Sequence, residues 1–156
     1  MLLILAGVET NSGPILQTGV STPYKRSDNI VIGCLNVRSS VNKAAEIHAL
    51  IYEQGLDVLA MCEMFMKPDT PDSVLHSVAP SGFTAIHSPR GDGRKGGGLA
   101  FVHRNILHAT PLHVGTIPTC FELLAIRLDL KSHSVTLVNI YRPPQSQRDV
   151  FYARVV

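Results

Sequence analysis

The stretch between Asn29 and Glu63 constrains the fold more than any other part of the sequence. Ile30-Val31-Ile32-Gly33-Cys34-Leu35 and Asp57-Val58-Leu59-Ala60-Met61-Cys62 are short apolar runs. Neither alternates with polar residues, as expected of strands buried on both faces. Between them Ala44, Ile47, Leu50 and Ile51 fall on one face of a helix, with Ser39, Ser40 or Asn42 available as caps and Gly55 just past the end. Strand, helix and strand with short joints predict a βαβ unit, its strands parallel and its crossover right-handed.

Parallel neighbours finish on the same sheet edge, so this unit is expected to bring Asn36 and Glu63 side by side at the carboxyl ends of its strands. Ligand sites of α/β sheets favour that edge. An amide oxygen beside a carboxylate suits a hard cation such as Mg2+, which takes oxygen ligands and keeps waters for a phosphate to displace. The plainer alternative is a turn Asn and a surface Glu.

Four further strand-like runs follow, Phe83 to His87, Gly98 to His103, Leu123 to Asp129 and Val135 to Tyr141, joined by loops instead of long helices. This predicts an α/β protein with mixed sheets. Leu124, Ile126 and Leu128 alternate with Ala125, Arg127 and Asp129, the period of a half-exposed strand. Arg142-Pro143-Pro144 should stop the last run abruptly, and Asp149 to Val156 is expected to begin a helix.

With 156 residues, 45% of them hydrophobic and 17% charged, the chain can build one core without a second domain. The net charge of +2 is compatible with nucleic acid but does not identify it as a partner. Cys34, Cys62 and Cys120 lie inside apolar runs without paired spacing, which predicts buried thiols in a reducing, intracellular compartment. No apolar run approaches the roughly 20 residues of a membrane span, so a soluble protein is expected.

Other motifs carry less. Gly91-Asp92-Gly93-Arg94-Lys95-Gly96 matches a dinucleotide-binding pattern but precedes a strand, where that pattern should join a strand to a helix. Arg90-Gly91-Asp92 is a triplet that recurs by chance. The same segment reads as a basic loop in which Arg90, Arg94 and Lys95 contact DNA phosphates, or as a solvated turn. His103, His108 and His113 share neither a helix turn nor a strand face and are expected to be surface or satisfied histidines. Residues and spacing give Glu122 no role.

Two resemblances add to this reading. Leu2-Leu3-Ile4-Leu5-Ala6-Gly7-Val8-Glu9-Thr10-Asn11-Ser12-Gly13-Pro14 resembles a 2A-type ribosome-skipping peptide. It lacks the Asp between Gly7 and Val8 and has Ser12 where the family has Pro, which implies an inactive copy. Leu35-Asn36-Val37-Arg38-Ser39, Leu59-Ala60-Met61-Cys62-Glu63, Lys95-Gly96-Gly97-Gly98-Leu99-Ala100 and Asn139-Ile140-Tyr141-Arg142-Pro143-Pro144 follow in the order and spacing of a known domain. Together they resemble the endonuclease/exonuclease/phosphatase domain of non-LTR retrotransposons.

That resemblance implies a DNase I-like sandwich of two mixed sheets flanked by helices, present as an N-terminal part, over residues 29–156. Residues 1–28 would be the 2A-like leader and a flexible segment. It implies that Asn36 and Glu63 hold a divalent metal, Mg2+ or Mn2+, and that Tyr141 sits beside the scissile phosphate. It implies DNA as substrate, contacted by Arg38, Arg90, Arg94, Lys95 and Arg142, with nuclear action and a downstream reverse transcriptase in the same polypeptide. Glu122 occupies a position where the family often has Glu. The family's Gly-Asp-x-Asn and Ser-Asp-His blocks, which supply the water-activating Asp and a phosphate-facing His, do not occur in this sequence. A metal-dependent endonuclease inactive in isolation is therefore expected. A dead remnant that at most binds nucleic acid, or a related phosphatase or nuclease, is the alternative.

Overall fold

The computed structural model describes residues 2–7, 30–91, 96–115 and 121–143, the first of these as backbone alone. The second half of the 2A-like leader, Arg94, Lys95, Cys120 and the expected helix after Asp149 lie outside the described residues.

The predicted βαβ unit is present. Strand β2 (Ile32–Asn36) and strand β3 (Val58–Cys62) pair in parallel, Ile32 opposite Val58 and Asn36 opposite Cys62, with helix α1 (Ala44–Glu53) between them in the chain. The helix starts later than its polar flank suggests. Its N-cap is Lys43, and no side chain caps it, so neither Ser39, Ser40 nor Asn42 has that task. Ser40 is instead buried, its hydroxyl donating to the Met64 carbonyl at 3.0 Å. At the other end Gly55, at φ 59°, closes the helix, with its N–H on the Tyr52 carbonyl and that of Leu56 on the Ile51 carbonyl.

Two sheets follow. The first runs β2-β3-β5-β4, where β4 is Phe83–Ser88 and β5 is Leu99–Arg104. The second runs β1-β8-β7-β6, where β1 is Leu2–Gly7, β6 is His108–Leu112, β7 is Glu122–Asp129 and β8 is Ser134–Tyr141. Each sheet holds one parallel pair, β2 with β3 and β1 with β8, and is otherwise antiparallel. The strand β1, which lies in the leader segment, pairs along the edge of β8, Leu2 opposite Thr136 and Gly7 opposite Tyr141.

The side chains of β3 explain the layering. Leu59 and Met61 face a core shared with Ile47 and Ile51 of α1 and with Leu75 and Val78 of helix α2 (Asp72–Val78). Val58, Ala60 and Cys62 face the opposite way, into a second core with Leu124, Ile126, Leu128, Leu137 and Tyr141. A strand buried on both faces has no need of polar alternation, which is why β3 reads as an unbroken apolar run. Helices, first sheet and second sheet are therefore three successive layers. Cys34 is a correction: it stands exposed on β2, whereas Cys62 is buried as expected.

Asn139 crosses between the sheets. It is 1% exposed, and its amide donates to the carbonyls of Met61 at 2.9 Å and Ala100 at 3.3 Å. At the end of the first sheet away from Asn36, buried Asp57 accepts from Arg104 at 2.8 Å and from the Val31 N–H at 3.0 Å. Arg104 also lies over the Phe83 ring.

Candidate active site

The carboxyl ends of β2, β3 and β8 and the amino ends of β5 and β7 meet at one end of the sandwich. Backbone pairing of β2 with β3 continues past the strands there, Val37 N–H to Cys62 carbonyl at 3.0 Å and Ser39 N–H to Glu63 carbonyl at 2.7 Å. Asn36 and Glu63 thus leave the same sheet edge, as the βαβ pattern predicts.

The backbone here is unusual. Arg38, Ser39, Glu63 and Phe65 all have positive φ, from 45° to 80°, and Gly96, Gly97 and Gly98 form a third left-handed segment beside them. For a residue with a side chain this conformation costs about 1–3 kcal/mol, and such residues cluster where a chain must aim a functional group. At Glu63, φ 57° breaks the strand alternation. Its half-buried carboxylate turns to the second sheet, where the Tyr141 hydroxyl donates a short hydrogen bond to Oε1. Tyr141 is 2% exposed, so its ring is fixed by packing and its hydroxyl placed by the core.

Asn36 Oδ1 accepts the Arg38 N–H at 3.2 Å, which fixes the amide's direction. An oxygen with two lone pairs keeps one for another partner. The carboxylate of Glu63 and the amide oxygen of Asn36 fit a hard cation in donor chemistry, since both are oxygens and neither is committed to a cationic side chain among the described residues. No cluster of three or more His, Cys, Asp or Glu exists among the described residues.

The basic residues divide. Arg38 is exposed at the rim, and Lys43 donates to the carbonyls of Val37 at 2.8 Å and Arg38 at 3.2 Å beside it. Arg142 follows β8 and is half-buried. Arg90 turns in from the loop: its side chain is 10% exposed and pairs with Glu122, Nε donating to Oε1 at 2.6 Å. Glu122 Oε2 accepts the Gly98 N–H, also at 2.6 Å.

The histidines meet expectation without joining the site. His103 is buried, with Nδ1 at the Arg104 carbonyl, while His108 and His113 are exposed. Sequence reasoning missed the linking roles of Asn139 and Glu122. The signal available for Glu122 was the Gly96-Gly97-Gly98 run, since three successive glycines announce that something approaches the backbone closely.

Two mixed sheets packed face to face, with helices on the outer side of one, make the DNase I-like sandwich of endonucleases, exonucleases and phosphatases, and this chain has that fold. It is similar to an AP endonuclease from Leishmania major, with a TM-score of 0.56 at 20% identity over 72% of this chain and 39% of that one. It is also similar to the endonuclease domain of TRAS1, a telomere-specific non-LTR retrotransposon, with a TM-score of 0.54 at 14% identity over 78% of this chain and 50% of that domain. The chain spans half or less of the length of these structures. Its sequence matches no family model and no curated protein.

Proposed function

We propose that this chain carries part of a divalent-metal-dependent DNA phosphodiesterase site, of the kind that nicks target DNA for a non-LTR retrotransposon. The observation that carries the proposal is the Glu63 carboxylate, held in a left-handed backbone at a strand end and joined to the buried Tyr141 hydroxyl beside Asn36. Glu63 and Asn36 would hold Mg2+ or Mn2+. When bound, such an ion neutralises charge on the phosphate oxygens and lowers the pKa of water. Tyr141 orients Glu63 by donating its one hydroxyl hydrogen to the carboxylate, and by the family resemblance it would lie beside the scissile phosphate. The cations of Arg38, Arg142, Arg94 and Lys95 supply sequence-independent attraction to the DNA backbone.

The likeness to the TRAS1 endonuclease domain supports a retrotransposon as context; the motif resemblance would add DNA as substrate, a reverse transcriptase on the same polypeptide and action in the nucleus. No Gly-Asp-x-Asn or Ser-Asp-His block occurs in the 156 residues, so the isolated chain has no assigned general base. A missing base removes about a hundredfold to ten-thousandfold of rate. The purified chain should therefore bind Mn2+ through Glu63, yet nick supercoiled plasmid no faster than Glu63→Ala. Mn2+ binding that survives Glu63→Ala would remove the proposed site. Robust nicking abolished by Glu63→Ala would show that the residues present suffice.

A further inference from the structure

We propose that Glu122 and Arg90 are a positioning pair for the Glu63 carboxylate, acting through Gly97 and Gly98. The inference deepens the reading of the site given above and rests on it only for its metal measurement.

Glu122 opens β7 directly opposite Tyr141 in the pairing of β7 with β8. Both of its oxygens point inward, Oε1 to the Arg90 guanidinium and Oε2 to the Gly98 N–H. The carbonyl of Gly98 in turn accepts the Met64 N–H at 3.2 Å, and that of Gly97 accepts the Phe65 N–H at 2.8 Å. Met64 directly follows Glu63. A closed circuit results, from Glu122 through Gly98 and Met64 to Glu63, across the short hydrogen bond to Tyr141, and back through the sheet to Glu122.

The chemistry of the pair suits this task better than plain packing. Side-chain exposures of 17% for Glu122 and 10% for Arg90 put both charges largely out of water, where each depends on the other. A carboxylate can accept from two directions at once, which an apolar side chain of similar size cannot. The pair also presses on Gly97, where a β-carbon would fall well inside contact with Arg90 Nε and Cζ and Glu122 Oε1. Glu63 cannot keep a left-handed backbone unless its neighbours hold it there, and the two N–H groups that follow it end on the segment Glu122 fixes.

Glu122→Gln keeps the size of the side chain but turns one acceptor into a donor, so either Gly98 or Arg90 loses its partner. Arg90→Lys keeps the cation and loses the planar fork. The full chain, labelled with 13C at Glu side-chain carboxyls, reports Glu63 by NMR through its carboxyl chemical shift and through broadening by Mn2+. In folded Glu122→Gln the 13C chemical shift of the Glu63 carboxyl carbon should move at one fixed pH, and Mn2+ affinity should fall about tenfold or more, the usual effect of losing a group that orients a metal ligand. Arg90→Lys should lie between this variant and the wild type, and it decides the matter if Glu122→Gln does not fold. A lowered unfolding temperature with the Glu63 carboxyl shift and Mn2+ broadening unchanged would make the pair merely structural and overturn the proposal. Should Mn2+ fail to broaden Glu63 in the wild type, the metal reading falls, and the carboxyl chemical shift alone still decides the positioning role.

Discussion

Replacing Gly97 with alanine adds one methyl group at the most crowded point of the site. Gly97 has φ 75°, and a β-carbon there meets the Arg90 guanidinium and the Glu122 carboxylate well inside contact distance. Two penalties add. A left-handed backbone costs a residue with a β-carbon about 1–2 kcal/mol, and forcing a methyl group into a packed contact costs about 1–3 kcal/mol. Their sum, about 2–5 kcal/mol, is a large share of the roughly 5–15 kcal/mol by which a domain is stable. Gly55 provides the control, because its φ is 59° and nothing lies within 4 Å of the β-carbon an alanine would add. Gly55→Ala should therefore show only the backbone penalty, about 1–2 kcal/mol. Urea unfolding of both variants, at equal dependence on denaturant, isolates the contact as the difference. Equal losses in the two variants would refute the reasoning and show that Arg90 and Glu122 have room to yield.

Asn139 and Cys34 give two further outcomes. Asn139→Leu should cost about 1–3 kcal/mol in urea unfolding, because it removes both amide bonds that tie the second sheet to Met61 and Ala100 of the first. A loss below measurement would mean that those bonds do not hold the sheets together. Cys34 is exposed, but desolvation by its partial burial pushes its thiol up from the ordinary value of 9.0. Since the thiolate is the reactive form, alkylation of Cys34 in a Cys120→Ser background should be slow at pH 7 and still rising above pH 9, with Cys62 unreactive. A rate that levels off near pH 8 would contradict the raised thiol.

The elements legible in the sequence were those whose reasons are local. The βαβ unit showed in two apolar runs around a helical period, and Gly55 marked the helix end where the structure has it. Leu124, Ile126 and Leu128 face inward in β7 as their alternation requires. Helix α2 was missed because seven residues give too short a period to register. Strand β6 was missed because Pro111 interrupts it; the proline is tolerated on an edge strand, which pairs on one side only. Of the candidate site, the shared edge of Asn36 and Glu63 follows from topology alone. The inward turn of Arg90 does not, since its partner lies 32 residues away and only folding brings them together. The exposure of Cys34 was hidden for a related reason: β2 is an edge strand, and an apolar run does not say which strand of a sheet lies outermost.

The pairing of β1 with β8 sets an order of assembly during synthesis. Leu2–Gly7 is made first, yet its partner ends at Tyr141, whereas every strand of the first sheet has been made once Arg104 has emerged. At about 5–20 residues per second, the opening strand waits on the order of ten seconds for its neighbour. Throughout that interval it is an apolar segment without a sheet, available to a chaperone or to another nascent chain. The helix-covered sheet can gather its own core in the meantime, because its contacts close over shorter stretches of chain. A translational pause before Tyr141 would therefore lengthen the exposure both of the first strand and of the inner face of the helix-covered sheet, whose Val58, Ala60 and Cys62 wait for β7 and β8.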